Sequence, residues 1–132
     1  MNEPGLEVWP VPLGPDGMHD WPPADEGIEG SVMHGRILWR SADGTRAVGV
    51  WRATPGTIRG TYPADEVFYV TAGRMTVTTL ADGREHEVGV GDTMIVTAGV
   101  ELELRIHEAV TKFWNVYVLA GLPDDVRPRP PD

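Results

Sequence analysis

Hydrophobic and polar residues alternate along much of the chain in short runs that end at glycine-containing turns. The clearest run is Val100 to Ile106 (VELELRI), in which apolar and charged residues alternate strictly. Because successive side chains of a strand point to opposite faces, this run has one apolar face and one charged face. No segment carries ten residues with a helical period, so the pattern predicts strands rather than helices.

Turns rich in glycine, aspartate and proline divide the pattern into predicted strands. Asp82-Gly83 is the strongest short hairpin signal, and Gly73-Arg74 predicts a tight turn. The predicted strands cover residues 32–39, 46–53, 57–62, 66–72, 75–80, 84–88, 93–97, 100–106 and 111–119. Short strands at this spacing predict an all-β sandwich or a small barrel.

The two ends of the chain differ in composition from its middle. Residues 1–27 are rich in proline and glycine, which predicts an extended arm, and Trp9 and Trp21 favour packing of that arm on the domain or on a partner subunit. Residues 121–132 combine proline with charge and predict a flexible tail. The 132-residue length suits one domain, which we assign to residues 28–120.

Charge and composition exclude several classes of function. The net charge is −9, and this field would repel a nucleic-acid backbone. No run approaches the roughly 18 apolar residues of a membrane span, the N-terminus does not resemble a secretion signal, and the chain has no cysteine. We therefore expect a cytoplasmic protein without nucleic-acid or membrane partners. Sheet edges and the arm both need cover, which favours a homodimer.

A series of motifs resembles a known family. The motifs are Tyr62-Pro63-x-x-Glu66, Glu66-(six residues)-Gly73, Gly91-Asp92, Ala98-Gly99 and Val110-x-Lys112-Phe113. They resemble the signature motifs of the cupins, and in particular the small single-domain cupins related to ureidoglycine aminohydrolase (the DUF861 group). The resemblance implies a jelly-roll-like antiparallel β-barrel over residues 28–120.

The same resemblance bears on metal binding. Metal-bearing cupins hold a divalent ion with this glutamate, two preceding histidines and one following histidine. This chain has Arg59 and Thr61, or in the alternative register Gly60 and Tyr62, at the first two positions, and Leu102 at the third. One carboxylate does not make a transition-metal site, so we expect neither a metal nor another cofactor. The four histidines have no ligand spacing to one another: His19, His34, His86 and His107.

The residues around the lost ligand positions predict a pocket. Gly60 and Leu104 stand where related cupins often carry bulky aromatic residues, which predicts a roomy, mostly apolar interior. Glu66 and Tyr62 are the candidate catalytic residues, as a general acid or base and a hydrogen-bond donor. The candidate substrate-binding residues are Arg59, Thr61, Gly60, Trp51, Leu102, Leu104 and Trp114. Lys112 could pair with Glu66 or with Glu108.

These observations favour a protein that binds a small organic molecule. We expect a metal-independent acid/base enzyme of the isomerase, cyclase, dehydratase or hydrolase type. A ligand-binding or structural cupin without turnover is the alternative, and a metal-dependent hydrolase like ureidoglycine aminohydrolase is a weaker one.

Overall fold

Every regular element in the part of the chain that the structure describes is a β-strand. The structure is a computed structural model and describes residues 5–8, 19–20 and 28–117. Its strands are β1 (His19–Asp20), β2 (Ile28–Glu29), β3 (Met33–Arg40), β4 (Arg46–Ala53), β5 (Gly56–Thr61), β6 (Asp65–Thr79), β7 (Arg84–Gly89), β8 (Thr93–Val96) and β9 (Glu101–Tyr117). The all-β prediction is confirmed. No helix that could cross a membrane occurs in those residues.

Two long strands organise the sheet. β6 and β9 pair antiparallel along nearly their whole length, from Asp65 opposite Tyr117 to Thr79 opposite Leu102. The first half of β6 and the second half of β9 belong to one sheet, with the strand order β8-β6-β9-β4-β3-β1. The other halves belong to a second sheet, with the order β7-β6-β9-β5-β2. We call these the first and second sheets.

The predicted turn at Gly73-Arg74 is wrong, because one strand runs through it. The pairing of β6 with β9 shifts register around Val70, Ala72 and Arg74, and Gly73 has a φ of 83°. A Cβ at Gly73 would collide with the backbone of Ala109 on β9, so the glycine allows the two strands to approach at this irregularity. The predicted strands 100–106 and 111–119 are likewise parts of one continuous strand, β9, which pairs with β6 on both sides of this irregularity.

Most of the predicted arm and the whole predicted tail lie outside the described residues. Two short pieces of residues 1–27 are described. His19 and Asp20 form β1, which pairs with Gly35 and His34 of β3, and Leu6 and Val8 are strongly exposed. Trp9, Trp21 and residues 118–132 lie outside the description.

Alternation along the strands fills the space between the two sheets. On β9, the even-numbered residues Leu102, Leu104 and Ile106 are buried, and they pack in one cluster with residues of both sheets. Trp114 continues this inward face and packs directly against Gly49 of β4, its register partner. Burying large apolar side chains in this way contributes about 1.5–3 kcal/mol each.

Two glycines on inward faces provide a matched test of this packing. A Cβ at Gly49 would collide with the Trp114 ring and with the carbonyl oxygen of Arg36, whereas a Cβ at Gly60 would meet no atom within 4 Å. We predict that Gly49→Ala lowers the free energy of unfolding by about 1–3 kcal/mol through overpacking, and that Gly60→Ala leaves it nearly unchanged. Urea unfolding checks this, and equal losses in both variants would contradict it.

Candidate functional site

The pairing of β5 with β9 decides between the two possible registers of the candidate ligand positions. Gly60 lies opposite Leu102, and Ile58 lies opposite Leu104. Ile58 and both leucines belong to the buried core, so Gly60 is on the inward face. Tyr62, just beyond the end of β5, is partly buried and packs against the same core. The register that places Gly60 and Tyr62 inward is therefore the one in the structure.

Arg59 and Thr61 lie on the opposite, outer face of β5. The Nε of Arg59 is 2.7 Å from Oε1 of Glu103, and half of the Arg59 side chain is exposed. Thr61 is exposed and lies opposite Glu101. Since side chains of a strand alternate between its two faces, an inward Gly60 forces both neighbours outward. The structure therefore does not bring these two predicted binding residues to the site.

Open space lies on the inward side of Gly60. A side chain at this position would point the same way as Ile58 and Leu102, and its Cβ would have no atom within 4 Å. The neighbouring interior is otherwise closely packed, because Leu102 and Leu104 are 3% and 5% exposed. The absence of a side chain at Gly60 thus leaves room beside the core for part of a small molecule.

A buried ion pair lies at the centre of the candidate site. The Nζ of Lys112 on β9 is 3.0 Å from Oε2 of Glu66 on β6, and their side chains are only 7% and 13% exposed. Of the two acids that could have paired with Lys112, Glu66 is the partner. Glu108 instead pairs with Arg74, whose Nε is 2.7 Å from Oε2 of Glu108.

Aromatic rings surround the Lys112 ammonium group. Its nitrogen lies 3.9 Å from the ring centroid of Phe68, 4.7 Å from that of Trp51 and 5.8 Å from that of Tyr62. Trp51 is the register partner of Lys112 on β4, and Phe68 shares the inward face of β6 with Glu66. Ring faces attract a cation, and this attraction offsets part of the cost of removing the ammonium group from water.

The neighbours of Lys112 and Tyr62 stabilise their protonated forms. Burial alone would lower the pKa of Lys112, but the charge of Glu66 and the oxygen of Tyr62 outweigh burial and raise this pKa above the usual 10.5. Burial raises the pKa of Tyr62 above the usual 10.0, and the charge of Lys112 offsets part of that rise. At neutral pH the site therefore presents an ammonium group and a neutral phenol, both of which donate hydrogen bonds.

The remaining candidate substrate-binding residues belong to the core. Trp51, Leu104 and Trp114 are all buried and point inward. Phe68 was not among the predicted site residues, although it is the ring nearest to Lys112. Its position two residues after Glu66 on a strand was the available signal, because residues i and i+2 share a face.

The residues present do not fit a bound divalent cation. Gly60, Tyr62 and Leu102 supply no imidazole at the expected ligand positions, and the ammonium group of Lys112 already occupies the Glu66 carboxylate. Across the described ranges, no three histidine, aspartate or glutamate side chains lie together as a possible metal site. The Nε2 of His107 instead lies 2.7 Å from the Thr76 hydroxyl, away from Lys112.

A separate groove lies between β7 and β8. It has a volume of about 350 Å³ and does not include the ion pair. Its lining residues are Val77, His86, Glu87, Val88, Asp92, Thr93, Met94 and Ile95.

Burial of the ion pair leads to a specific prediction about the stability of the protein. We expect Lys112→Met alone to lower the free energy of unfolding by about 3–5 kcal/mol, because it leaves the carboxylate of Glu66 buried without a partner. The double variant Glu66→Leu/Lys112→Met removes both charges and should recover most or all of this loss. Chemical denaturation of the wild type and of the single and double variants tests the coupling. Additive losses would contradict it.

The pKa shifts predict a loss of stability in alkali. Lys112 and Tyr62 release their protons near pH 10.5 and 10.0 when unfolded, and at higher pH when folded. The unfolded chain therefore binds fewer protons in that range, so stability is complete below about pH 10 and falls as the pH rises further. Urea titrations at a series of pH values measure this slope. Glu66→Leu/Lys112→Met should show a shallower decline, and an equal decline would contradict the assignment.

Comparison with known proteins agrees with this fold. No curated protein matches the chain. The EutQ protein of Clostridium difficile is 18% identical with a TM-score of 0.59, covering 67% of this chain and 69% of its own. A DUF861 family protein of unknown function from Pseudomonas syringae is 24% identical with a TM-score of 0.66, covering 75% of this chain and 43% of its own. The polyketide cyclase RemF of Streptomyces resistomycificus is 15% identical with a TM-score of 0.59, covering 75% and 73%.

These structures share the fold of the chain, and the family is shown by its sequence. The model of the EutQ-like cupin domain matches residues 40–114, which include β4 to β8 and most of β9 together with both members of the ion pair. The chain therefore belongs to the EutQ-like cupin family.

Proposed function

We propose that this cupin binds a small organic molecule with a carbonyl or carboxylate group and catalyses a proton transfer on it without a metal. The observation that carries the proposal is the buried pair of Lys112 and Glu66, whose ammonium group lies close to three aromatic rings. One of these rings is that of Tyr62, which follows the open space at Gly60 by two residues. This arrangement combines a proton acceptor, two hydrogen-bond donors and room for a ligand.

The cost of the ion pair supports a functional role. Two charges removed from water lose hydration energy, and well-packed apolar residues of similar volume often give equal or greater stability. Glu66 and Lys112 are buried between apolar and aromatic neighbours that would readily accommodate such a replacement. A role in catalysis or ligand binding therefore explains a charged pair at this place better than a contribution to stability does.

Each polar group has a distinct role in the proposed reaction. The hydrogen bond of Lys112 goes to Oε2 of Glu66, and in our proposal the other oxygen, Oε1, takes a proton from the carbon next to the substrate carbonyl. The electron pair of that C–H bond moves onto the carbonyl oxygen. The ammonium group of Lys112 and the hydroxyl group of Tyr62 donate hydrogen bonds to the resulting oxyanion. Return of the proton at a different atom would give an isomerisation, and attack on a second group would close a ring.

The similar structures support the fold on which this proposal is built, but they do not support a particular reaction. RemF is named as a polyketide cyclase, and ring closure is one outcome of the proton transfer described above. At 15% identity the likeness shows a shared architecture, so the choice among isomerase, cyclase, dehydratase and hydrolase depends on direct measurement.

Binding without turnover is the second candidate function. The observation that favours it is the 3.0 Å contact between Lys112 and Glu66, because an oxygen of the carboxylate is already engaged as the acceptor of this hydrogen bond. In this case the pair and Tyr62 would only orient a ligand. Exchange and binding measurements on the same protein separate the two functions.

Proton exchange in heavy water is the direct test. Pyruvate, acetoacetate and oxaloacetate serve as probes, and NMR follows the replacement of their α-hydrogens by deuterium. We expect the wild type to accelerate exchange for at least one probe. Glu66→Gln, which keeps the shape but not the basicity of the side chain, should slow this exchange by about 100-fold or more while binding persists.

Binding of the probes can be measured independently of turnover. Gly60→Phe fills the open space and should abolish probe binding without loss of stability, with Gly60→Ala as the matched control. Calorimetric titration measures the binding. Binding without exchange in the wild type would establish the second function, and failure of all three probes to bind would overturn the proposed substrate class.

A further inference from the structure

The inward face of the second sheet is aliphatic around Gly60. Gly60 lies opposite Leu102 on β9, and Ile58 and Leu104 form the next pair on the same face. These three aliphatic side chains are all buried. The space at Gly60, where a Cβ would meet no atom within 4 Å, therefore has aliphatic groups as its register neighbours.

The charged residues of the same two strands point to the outer face. There Glu103 contacts Arg59 at 2.7 Å and Arg105 at 3.9 Å. These charges are therefore committed to one another on the outside of the sheet and do not reach the inward side of Gly60.

The register row of Gly60 continues across the sheet through two further residues. Thr79 on β6 lies opposite Leu102, and its hydroxyl group donates a hydrogen bond to Asp82. The row ends at Arg84 on the edge strand β7, which is three strand spacings or roughly 14 Å from Gly60. Neither group is placed to pair with a charge on a ligand at Gly60.

The polar end of the candidate site lies two residues further along the chain. The amide of Tyr62 donates a hydrogen bond to the carbonyl oxygen of Val100 at 3.0 Å, which continues the pairing of β5 with the chain leading into β9. Side chains at positions i and i+2 of a strand are about 6–7 Å apart. The nitrogen of Lys112 is 5.8 Å from the centre of the Tyr62 ring. Tyr62 is thus within one side-chain spacing of both the open space and the ammonium group.

We propose that the substrate is a carbonyl compound with an uncharged apolar chain, and that Gly60 is the residue that sets the length of this chain. The inference rests on the proposed function, because it places the carbonyl group at Lys112 and Tyr62. A chain of roughly four to six carbon atoms spans the distance of about 7 Å from there to Gly60.

The aliphatic neighbours and the lack of a counter-charge select in the same direction. Each methylene group that moves from water into contact with apolar side chains raises affinity by about fourfold. A carboxylate at the far end of the chain would lose its hydration without gaining a partner, so it is disfavoured relative to an apolar group of the same shape.

A homologous series of 2-oxo acids measures the chain length. The probes are pyruvate, 2-oxobutanoate, 2-oxopentanoate, 2-oxohexanoate and 2-oxooctanoate, and calorimetric titration gives their affinities. We expect a rise of about fourfold per methylene group that ends once the space at Gly60 is full. An affinity that is independent of chain length would overturn the inference.

A pair of probes with matched shape tests the exclusion of charge. 5-Methyl-2-oxohexanoate and 2-oxoglutarate differ mainly in the charge of the far end. We expect the uncharged end to bind about tenfold more tightly or better. Equal or tighter binding of 2-oxoglutarate would contradict an apolar space.

A substitution at Gly60 tests the residue itself. The φ of Gly60 is not positive, so its backbone accepts a side chain. Gly60→Val should lower the affinity for 2-oxohexanoate by about tenfold or more and leave that for pyruvate nearly unchanged. Thr61→Val is the matched control, because Thr61 is the next residue and is exposed on the outer face, and it should bind the series like the wild type. Identical affinities in the two variants would overturn the role of Gly60.

The same probes separate this inference from the proposed reaction. Deuterium exchange of the α-hydrogens reports proton transfer, whereas the length dependence is read from binding alone. Length-dependent binding without exchange would support the apolar chain and contradict the catalytic role. Exchange with no dependence on chain length would support the catalytic role and overturn the inference about Gly60.

Discussion

The contact between Lys112 and Glu66 is the constraint on which the interior depends. Two opposite charges lie within a core of aliphatic and aromatic residues, and each is tolerable there only because of the other. The rings of Phe68 and Trp51 complete the surroundings of the ammonium group. The same contact joins β6 and β9, so loss of either charge alone would disturb the core at the point where these two strands meet.

The two long strands connect the ion pair of Lys112 and Glu66 to both sheets. β6 and β9 each contribute to both sheets, and the ion pair joins them in the first sheet. Gly60 and Leu102 extend the inward surface from the second sheet. The candidate site is thus built from both layers, although its charged groups come from only two strands.

Local sequence patterns were sufficient for the strands but not for their pairing. The alternation in VELELRI correctly predicted an inward face at Leu102 and Leu104, since it depends only on neighbouring residues. Gly73 was misread because a positive φ suits both a turn and a bulge, and only the partner strand distinguishes them. A shift of one residue exchanges the two faces of β5, so the pattern left Arg59 and Gly60 as alternatives until pairing with β9 was known.

The site depended on contacts that are remote in sequence. Lys112 and Glu66 are 46 positions apart, and the choice between Glu66 and Glu108 as partner required the path of both long strands. Phe68 was overlooked because apolar residues on a strand carry no chemical signal of their own. Its significance comes from the cation placed over its ring.

The sharing of β6 and β9 between the two sheets also restricts how the interior can be reached. Sheets joined by continuous strands cannot swing apart like the halves of a shell without breaking those strands. The room at Gly60 is then set by the side chains around it and not by a variable separation of the sheets. A molecule that enters this space must fit a nearly fixed volume, and a side chain added at Gly60 would reduce that volume directly.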